Sequence, residues 1–176
     1  MKPRQPLPPE TLSAEAQRLH QQLSNSSDVA AIVVGVSYVD TSLASLLSKR
    51  LLKSSVSDRI LDSRSGVLGT FSARTDMSYA LALIDKPMYQ ELKTLGELRN
   101  EIAHSHYELN FSSPSIIEHC SRLTYISNLR DSTTGKLIFT PEKIAPPRAR
   151  FLLTASIIAN IVILTALGEV HAKRAA

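Results

Sequence analysis

The stretch that decides the fold class is residues 28–53, with the sequence DVAAIVVGVSYVDTSLASLLSKRLLK. Its first half is rich in β-branched residues, and residues 29–39 taken alone are compatible with a buried strand. The continuation favours a helix, because no turn signal interrupts the stretch and apolar residues recur at helical spacing: Val36, Val39, Leu43, Leu46, Leu47 and Leu51. Basic residues at its end suit the carboxyl terminus of a helix. We therefore predict one long helix over residues 28–53.

The same helical period extends to both sides of this stretch. It predicts helices over residues 10–23, 71–84 and 87–107. A strongly apolar run that Pro146 or Pro147 opens predicts a helix over residues 148–173, and we expect a shorter one over 115–123. Asp85 can cap the helix that begins at Pro87. The remaining segments predict a connection over residues 54–70, with a helical turn near Ile60, and a small hairpin over 125–139. We expect a single all-α domain over residues 10–176, a bundle of about five to seven helices, after a flexible tail at residues 1–9.

Composition narrows the class of protein further. The chain has 176 residues, of which 43% are hydrophobic and 20% charged, values that exclude wholesale disorder. It has 6 Gly and 5% aromatic residues, which disfavours a turn-rich β fold. A single cysteine excludes an internal disulfide and a cysteine-rich zinc module. The formal charge of +4 permits nucleic acid as a partner without requiring it.

Residues 151–167 raise the question of a membrane, because they are strongly apolar and flanked by basic residues. A membrane-spanning helix needs about 20 apolar residues. This run is shorter, and four polar residues interrupt it: Thr154, Ser156, Asn160 and Thr165. We predict a buried helix of the bundle, no membrane association and a cytoplasmic location.

The motif with the most chemical information is LRNEIAHSH at residues 98–106. Asn100 and His104 are four residues apart and share a helix face, whereas Arg99 is offset from His104 by about 140°. The long side chain of Arg99 can still reach the same pocket. Arginine offers a forked donor to phosphate oxygens, and histidine moves protons near neutral pH. We therefore predict that Arg99, Asn100 and His104 line the edge of a groove that binds a phosphate or positions an attacking hydroxyl.

The pattern of Arg99-Asn100 followed by His104 resembles the signature of HEPN domains, and His106 also falls within the spacing that this signature permits. For the nucleases among HEPN proteins, the resemblance implies cleavage of RNA without a metal, by attack of a 2′-hydroxyl on the adjacent phosphate. Arg99 would then stabilise the phosphate charge, His104 would act as acid or base, and Asn100 would orient the groups. A dimer often builds one such site from two copies.

The order of the surrounding segments is more specific. FSAR at residues 71–74, YALALI at 79–84 and then residues 95–104 are similar to the mannitol operon repressor family, and residues 36–51 resemble that family's preceding long helix. The resemblance covers roughly residues 28–111. It implies an all-α fold and a regulatory role without a recognisable DNA-binding element. We find no helix-turn-helix with a basic recognition helix in the sequence.

Two functions and one structural alternative follow for these residues. The leading function is regulation by a homodimer that binds a protein partner or nucleic acid through the groove at Arg99, Asn100 and His104. The binding residues also include His106, Asp40 and Arg74. The alternative function is the metal-independent endoribonuclease. The structural alternative is a buried network in which Arg99 pairs with Asp40, Arg74 joins them, and His104 bonds a carbonyl or carboxylate.

Metal and cofactor chemistry has little support in the sequence. His104 and His106 are two residues apart, which places them on different faces of a helix, and neither they nor His119 belongs to a known metal-binding motif. Cys120 has no neighbouring cation that would clearly lower its pKa, so we predict a buried structural thiol. We expect no cofactor and no metal.

Overall fold

In a computed structural model, the described residues are 6–106 and 108–168, excluding the side chains of residues 13–17. Helices make up the described secondary structure almost entirely. They are α1 Pro9–Ser24, α2 Asp28–Arg50, α3 Ser55–Leu61, α4 Phe71–Ala80, α5 Lys86–His104, α6 Pro114–Ser121, α7 Pro141–Ile144 and α8 Pro147–Leu167, with a 3₁₀ helix at Tyr125–Asn128. The all-α prediction is confirmed. Without the two four-residue elements, seven helices remain in the described chain, which matches the predicted number.

The long helix predicted from residues 28–53 is confirmed as α2, and it packs along α8 at the centre of the bundle. The side chain of Ser27 caps α2 by accepting the backbone N–H of Ala30 at 3.3 Å. Gly35 is buried where α2 meets Phe151 of α8, and a Cβ at this position would lie 3.1 Å from Cζ of that ring. The β-branched first half of α2 is therefore helical because its apolar residues are buried against other helices.

The apolar character of α2 and α8 is explained by this packing. Both helices are long and apolar enough, by length and composition alone, to cross a membrane. The bundle itself buries 56% of the apolar window in α2 and 61% of that in α8. The core helix of a globular bundle has the same properties.

The connection between α4 and α5 departs from the prediction. Helix α4 ends at Ala80, four residues before the predicted end at residue 84. Ala82 adopts a left-handed backbone with φ of 53°, and the N–H of Leu83 bonds the carbonyl of Ser78 at 2.9 Å. This turn connects α4 to α5 within five residues. Asp85 caps α5 as predicted, because its side chain accepts the N–H of Met88 at 3.0 Å.

Of the hairpin predicted over residues 125–139, the turn forms but the two strands do not. Among the described residues there is no strand, and one isolated antiparallel bridge joins Arg130 and Leu137. Asp131 organises the turn by accepting the N–H groups of Thr133 and Thr134 at 3.0 and 2.7 Å. The first predicted strand is instead the 3₁₀ helix, which buries Ile126 in the core.

The chain ends are only partly within the described residues. Of the predicted flexible tail, residues 1–5 lie outside them, and α1 begins at Pro9. The last helix ends at Leu167, where Gly168 has a φ of 83°, and the predicted extension to residue 173 lies outside the described residues. The flexibility of the tail and the single-domain boundary at residue 10 stay predictions.

Candidate functional site

A groove of about 350 Å³ lies between the amino-terminal end of α4 and the second half of α5. Phe71 borders it from α4, and Gly96 faces that ring from α5. A Cβ at position 96 would lie 3.2 Å from Cδ1 and Cε1 of Phe71, so the glycine is what allows the ring to pack this closely against the helix. The groove therefore has an apolar wall made of a half-buried aromatic ring.

Apart from Leu92 and Gly96, the other described residues that line the groove are polar. Lys93, Arg99 and Asn100 line it from α5, and all three are exposed. Arg99 Nη1 donates to Oδ1 of Asn100 at 3.2 Å, which fixes the amide oxygen and leaves the amide nitrogen for another partner. From α4, Thr75 lines the groove with a hydroxyl that is buried and has no hydrogen-bond partner among the described residues.

The groove has an excess of positive charge. Glu97 is the only carboxylate among its described lining residues. Its Oε2 accepts a bond from Arg122 Nη2 at 2.7 Å, so the charge of Arg122, the residue after α6, neutralises this carboxylate. The charges of Lys93 and Arg99 have no such carboxylate within the groove. The N–H groups of the first turn of α4 add a partial positive charge, and the side chain of Thr70 satisfies only that of Ala73, at 3.2 Å.

The predicted pair between Arg99 and Asp40 is wrong. Asp40 Oδ2 is bonded by Nη1 of Arg74 at 2.7 Å instead. Arg74 lies on the buried side of α4, which packs against α2, whereas Arg99 lies on an exposed face of α5. Of the structural network predicted from the sequence, the part that forms is the pair of Asp40 and Arg74.

The predicted binding residues therefore fall into three places. Arg99 and Asn100 lie in the groove, and Arg74 with Asp40 forms the link between α4 and α2. His104 is the last residue of α5 and is exposed, and neither it nor His106 is among the described residues that line the groove. The sequence predicts that His104 and Arg99 lie on the same edge of the groove. In the structure, the described lining of the groove contains Arg99 but not His104.

His119 has a structural role in the region between α5 and α6. Its Nε2 lies 2.7 Å from Oε2 of Glu101, and its Nδ1 bonds Arg122. Within the described residues, no group of three or more His, Cys, Asp or Glu side chains has a geometry suited to a metal ion.

Sequence reasoning missed Glu91, a buried carboxylate of α5 that is 4% exposed. Its Oε1 accepts the N–H groups of Thr124 and Tyr125 at 2.6 and 2.8 Å. Burial raises the pKa of Glu91, while these hydrogen bonds and the charge of Arg150 lower it. A signal for this position existed in the sequence, because Glu91 follows the apolar Met88 by three residues and therefore lies on the inward face of the helix.

The fold and groove define an all-α protein with two apolar helices at its centre and a positively charged groove on its flank. A model of the Mannitol repressor family matches residues 48–142, which is more than half of the chain. The chain belongs to this family, and the predicted resemblance to it is confirmed. The resemblance to HEPN domains stays a prediction.

The chain is also similar to a solved structure, described as the X-ray structure of the MtlR-HPr complex from Escherichia coli. The TM-score is 0.66 at 19% sequence identity, and the match covers 86% of this chain and 99% of the other. At this identity the likeness establishes the fold. No curated protein sequence matches this chain.

Proposed function

We propose that this chain is a regulatory protein of the mannitol repressor type that acts by binding a protein partner through the groove between α4 and α5. The observation that carries the proposal is the excess of positive charge in the groove, next to an apolar wall. Lys93 and Arg99 would meet acidic side chains of the partner. Phe71 would contact an apolar side chain between them.

A protein partner fits these features better than nucleic acid. Two basic side chains line the groove, and the carboxylates of Glu97 and Glu101 lie on the same half of α5. A nucleic-acid site usually presents a denser basic surface that follows several phosphates. The related Escherichia coli structure is a complex with HPr, so HPr is the first partner to test. We also propose that the chain is a cytoplasmic homodimer, which sedimentation of the purified protein tests.

The test is titration calorimetry with the HPr of the same organism. The Arg99→Ala variant should bind about tenfold more weakly or worse, because it removes a charge-assisted hydrogen bond. Arg130→Ala is the matched control, since Arg130 is an exposed arginine outside the described lining of the groove. Equal loss of affinity in both variants would show a general charge effect, and unchanged affinity in Arg99→Ala would move the contact away from the groove.

Incubation with RNA in the absence of metal separates this proposal from the nuclease alternative. A nuclease of that type would lose cleavage in both Arg99→Ala and His104→Ala. The regulator cleaves no RNA, and its affinity for the partner should respond to Arg99 and not to His104. Cleavage by the wild type that both variants abolish would overturn the proposal.

A further inference from the structure

The connection between α2 and α4, which contains α3, presents three aliphatic side chains to solvent. Leu52 is 80% exposed, Val56 is 52% exposed, and Val67 is 77% exposed. Single exposed aliphatic residues are ordinary on protein surfaces. Three of them in one short connection form a patch that the packing of the bundle does not explain.

A tight turn after α3 holds Val67 in place. The N–H of Leu68 bonds the carbonyl of Ile60 at 2.8 Å, so the segment that carries Val67 lies against α3. Gly66 makes this turn possible, because a Cβ at this position would overlap the carbonyl oxygen of Ile60 and lie 2.7 Å from that of Asp62. Val67 is therefore presented to solvent from a fixed position beside the helix.

The opposite side of the same connection is anchored in the protein. Leu61 of α3 and Leu68 are buried and form a small core with Leu47 of α2. Arg74 of α4 donates to the carbonyls of Leu61 and Leu68 at 3.2 and 2.8 Å. The connection thus has a buried face of its own, and the three exposed aliphatic residues lie on the other face.

The start of α3 brings two of these residues close to a cation. The hydroxyl of Ser57 donates to the carbonyl of Leu52 at 2.5 Å, which fixes Leu52 beside the first turn of α3. Val56 and Arg59 are three residues apart on this helix and are both exposed, so they share its outer face. The outer face of α3 is therefore both apolar and basic.

The charge around the patch is positive. Residues 49–67 contain five basic residues and two acidic ones. Of the two carboxylates, Asp62 is buried and Asp58 is half-buried. The side chains of Lys53 and Arg59 are exposed, and within the described residues neither forms an ion pair. The chemistry that complements this surface is apolar and carries negative charge.

We propose that this surface of α3 binds the anionic surface of a lipid bilayer. Leu52, Val56 and Val67 would enter the layer between the headgroups and the acyl chains, and Lys53 and Arg59 would contact lipid phosphate groups. A bilayer fits the patch better than a protein does. Acyl chains rearrange around separate protruding side chains, whereas a protein partner would need a pocket for each of them.

The proposed contact is peripheral and reversible. Helices α2 and α8 keep more than half of their apolar windows inside the bundle, so no helix needs to cross the bilayer. Three aliphatic side chains and two cations provide weak attachment, which replaces the sequence-based expectation of no membrane association. The proposal does not depend on the proposed function, because none of these five side chains is in the described lining of the groove between α4 and α5.

Leu52→Trp gives a direct reporter of the contact, because the chain contains no tryptophan and this side chain is 80% exposed. The full chain is mixed with vesicles of phosphatidylglycerol and phosphatidylcholine, or of phosphatidylcholine alone. Tryptophan emission should move to shorter wavelength with the anionic vesicles only, and lipids with brominated acyl chains should quench it. Leu137→Trp replaces an exposed leucine in the turn before α7 and should show neither change.

Two further changes in the Leu52→Trp protein separate charge from apolar contact. Lys53→Gln together with Arg59→Gln should weaken binding to anionic vesicles about tenfold or more. Arg130→Gln together with Lys136→Gln removes the same charge at exposed positions elsewhere and should leave binding nearly unchanged. Val67→Thr keeps the shape of the side chain and should weaken binding severalfold. Circular dichroism checks that each variant is folded.

Several outcomes would overturn the proposal. One is the absence of a spectral shift in Leu52→Trp with anionic vesicles, and another is an equal shift with neutral vesicles. Equal weakening by the two pairs of charge substitutions would reduce the effect to the overall charge of the protein. A shift with soluble polyglutamate and none with vesicles would assign the surface to an acidic protein instead. Binding of HPr is measured separately with the Arg99→Ala variant, so failure of either proposal leaves the other standing.

Discussion

The guanidinium group of Arg74 lies 2.7 Å from the carboxylate of Asp40 and joins α4 to α2. Arg74 is 4% exposed, and it also donates to the carbonyl of Leu68 at 2.8 Å and to that of Leu61 at 3.2 Å. One buried side chain therefore connects two helices and satisfies one carbonyl at the end of α3 and one in the segment between α3 and α4. Helix α4 forms one wall of the groove between α4 and α5, so this link also holds that groove in place.

Replacement of Arg74 by alanine should destabilise the protein by about 3 kcal/mol. The change leaves a partly buried carboxylate without its partner and two carbonyls without a donor. Urea denaturation followed by circular dichroism measures the effect. Arg99→Ala is the matched control and should change the free energy of unfolding by less than about 0.5 kcal/mol, because Arg99 is exposed. Equal effects of the two variants would contradict the assigned role of Arg74.

The sequence does not predict whether Arg74 or Arg99 is the partner of Asp40. The apolar stripes of α2 and α5 predict these two helices, and the long apolar run after Pro146 and Pro147 predicts α8. The pairing of two side chains from different helices depends on how the helices pack, and the residues around each arginine do not specify this packing. The early end of α4 is hidden for a similar reason, since alanine gives no signal of the left-handed backbone at Ala82.

The sequence also predicts only some of the residues that line the groove between α4 and α5. The sequence predicts Arg99 and Asn100 from their residue types and spacing, and both line the groove. His104 was grouped with them by helical spacing, but α5 ends at this residue, and it does not line the described groove. Phe71 and Thr75 were missed as lining residues because they come from another helix.

Gly35→Ala should destabilise the protein by about 1 kcal/mol. Alanine is favoured over glycine inside a helix by about 1 kcal/mol, but its Cβ would lie 3.1 Å from Cζ of Phe151. That ring is fully buried and has no space to move, so overpacking, which costs about 1–3 kcal/mol, exceeds the gain. Thermal unfolding measures the difference. An increase in stability would show that the contact between α2 and α8 is looser than described.

Gly96→Ala should have the opposite effect on stability. The new Cβ would lie 3.2 Å from the ring of Phe71, which is half-buried at the edge of the groove and can turn away. We expect a gain in stability of up to about 1 kcal/mol from helix propensity. The displaced ring should narrow the groove and weaken binding of the protein partner in calorimetry. A stabilised variant with unchanged affinity would show that Phe71 is not part of the interface.

Cys120 should be unreactive in the folded protein. Its side chain is 1% exposed, and burial raises the pKa of the thiol to about 12. At pH 8 the reactive thiolate would then be only about 10⁻⁴ of the total. Labelling with Ellman's reagent should be slow in buffer and fast in urea. Rapid labelling of the folded protein, under conditions where circular dichroism shows no unfolding, would contradict the burial of this residue.

Glu91 should make the protein less stable as the pH rises through a defined window. Burial raises the pKa of Glu91 in the folded state above that of a glutamate in the unfolded chain. Between these two pKa values the folded state binds more protons than the unfolded state, so the free energy of unfolding falls as the pH increases.

Glu91→Gln lacks this titration. The stability of the variant relative to the wild type should therefore increase across the window and stay constant above it, as measured by urea denaturation at a series of pH values. A difference that stays constant at all pH values would show that the carboxylate is ionised in the folded protein as readily as in the unfolded chain.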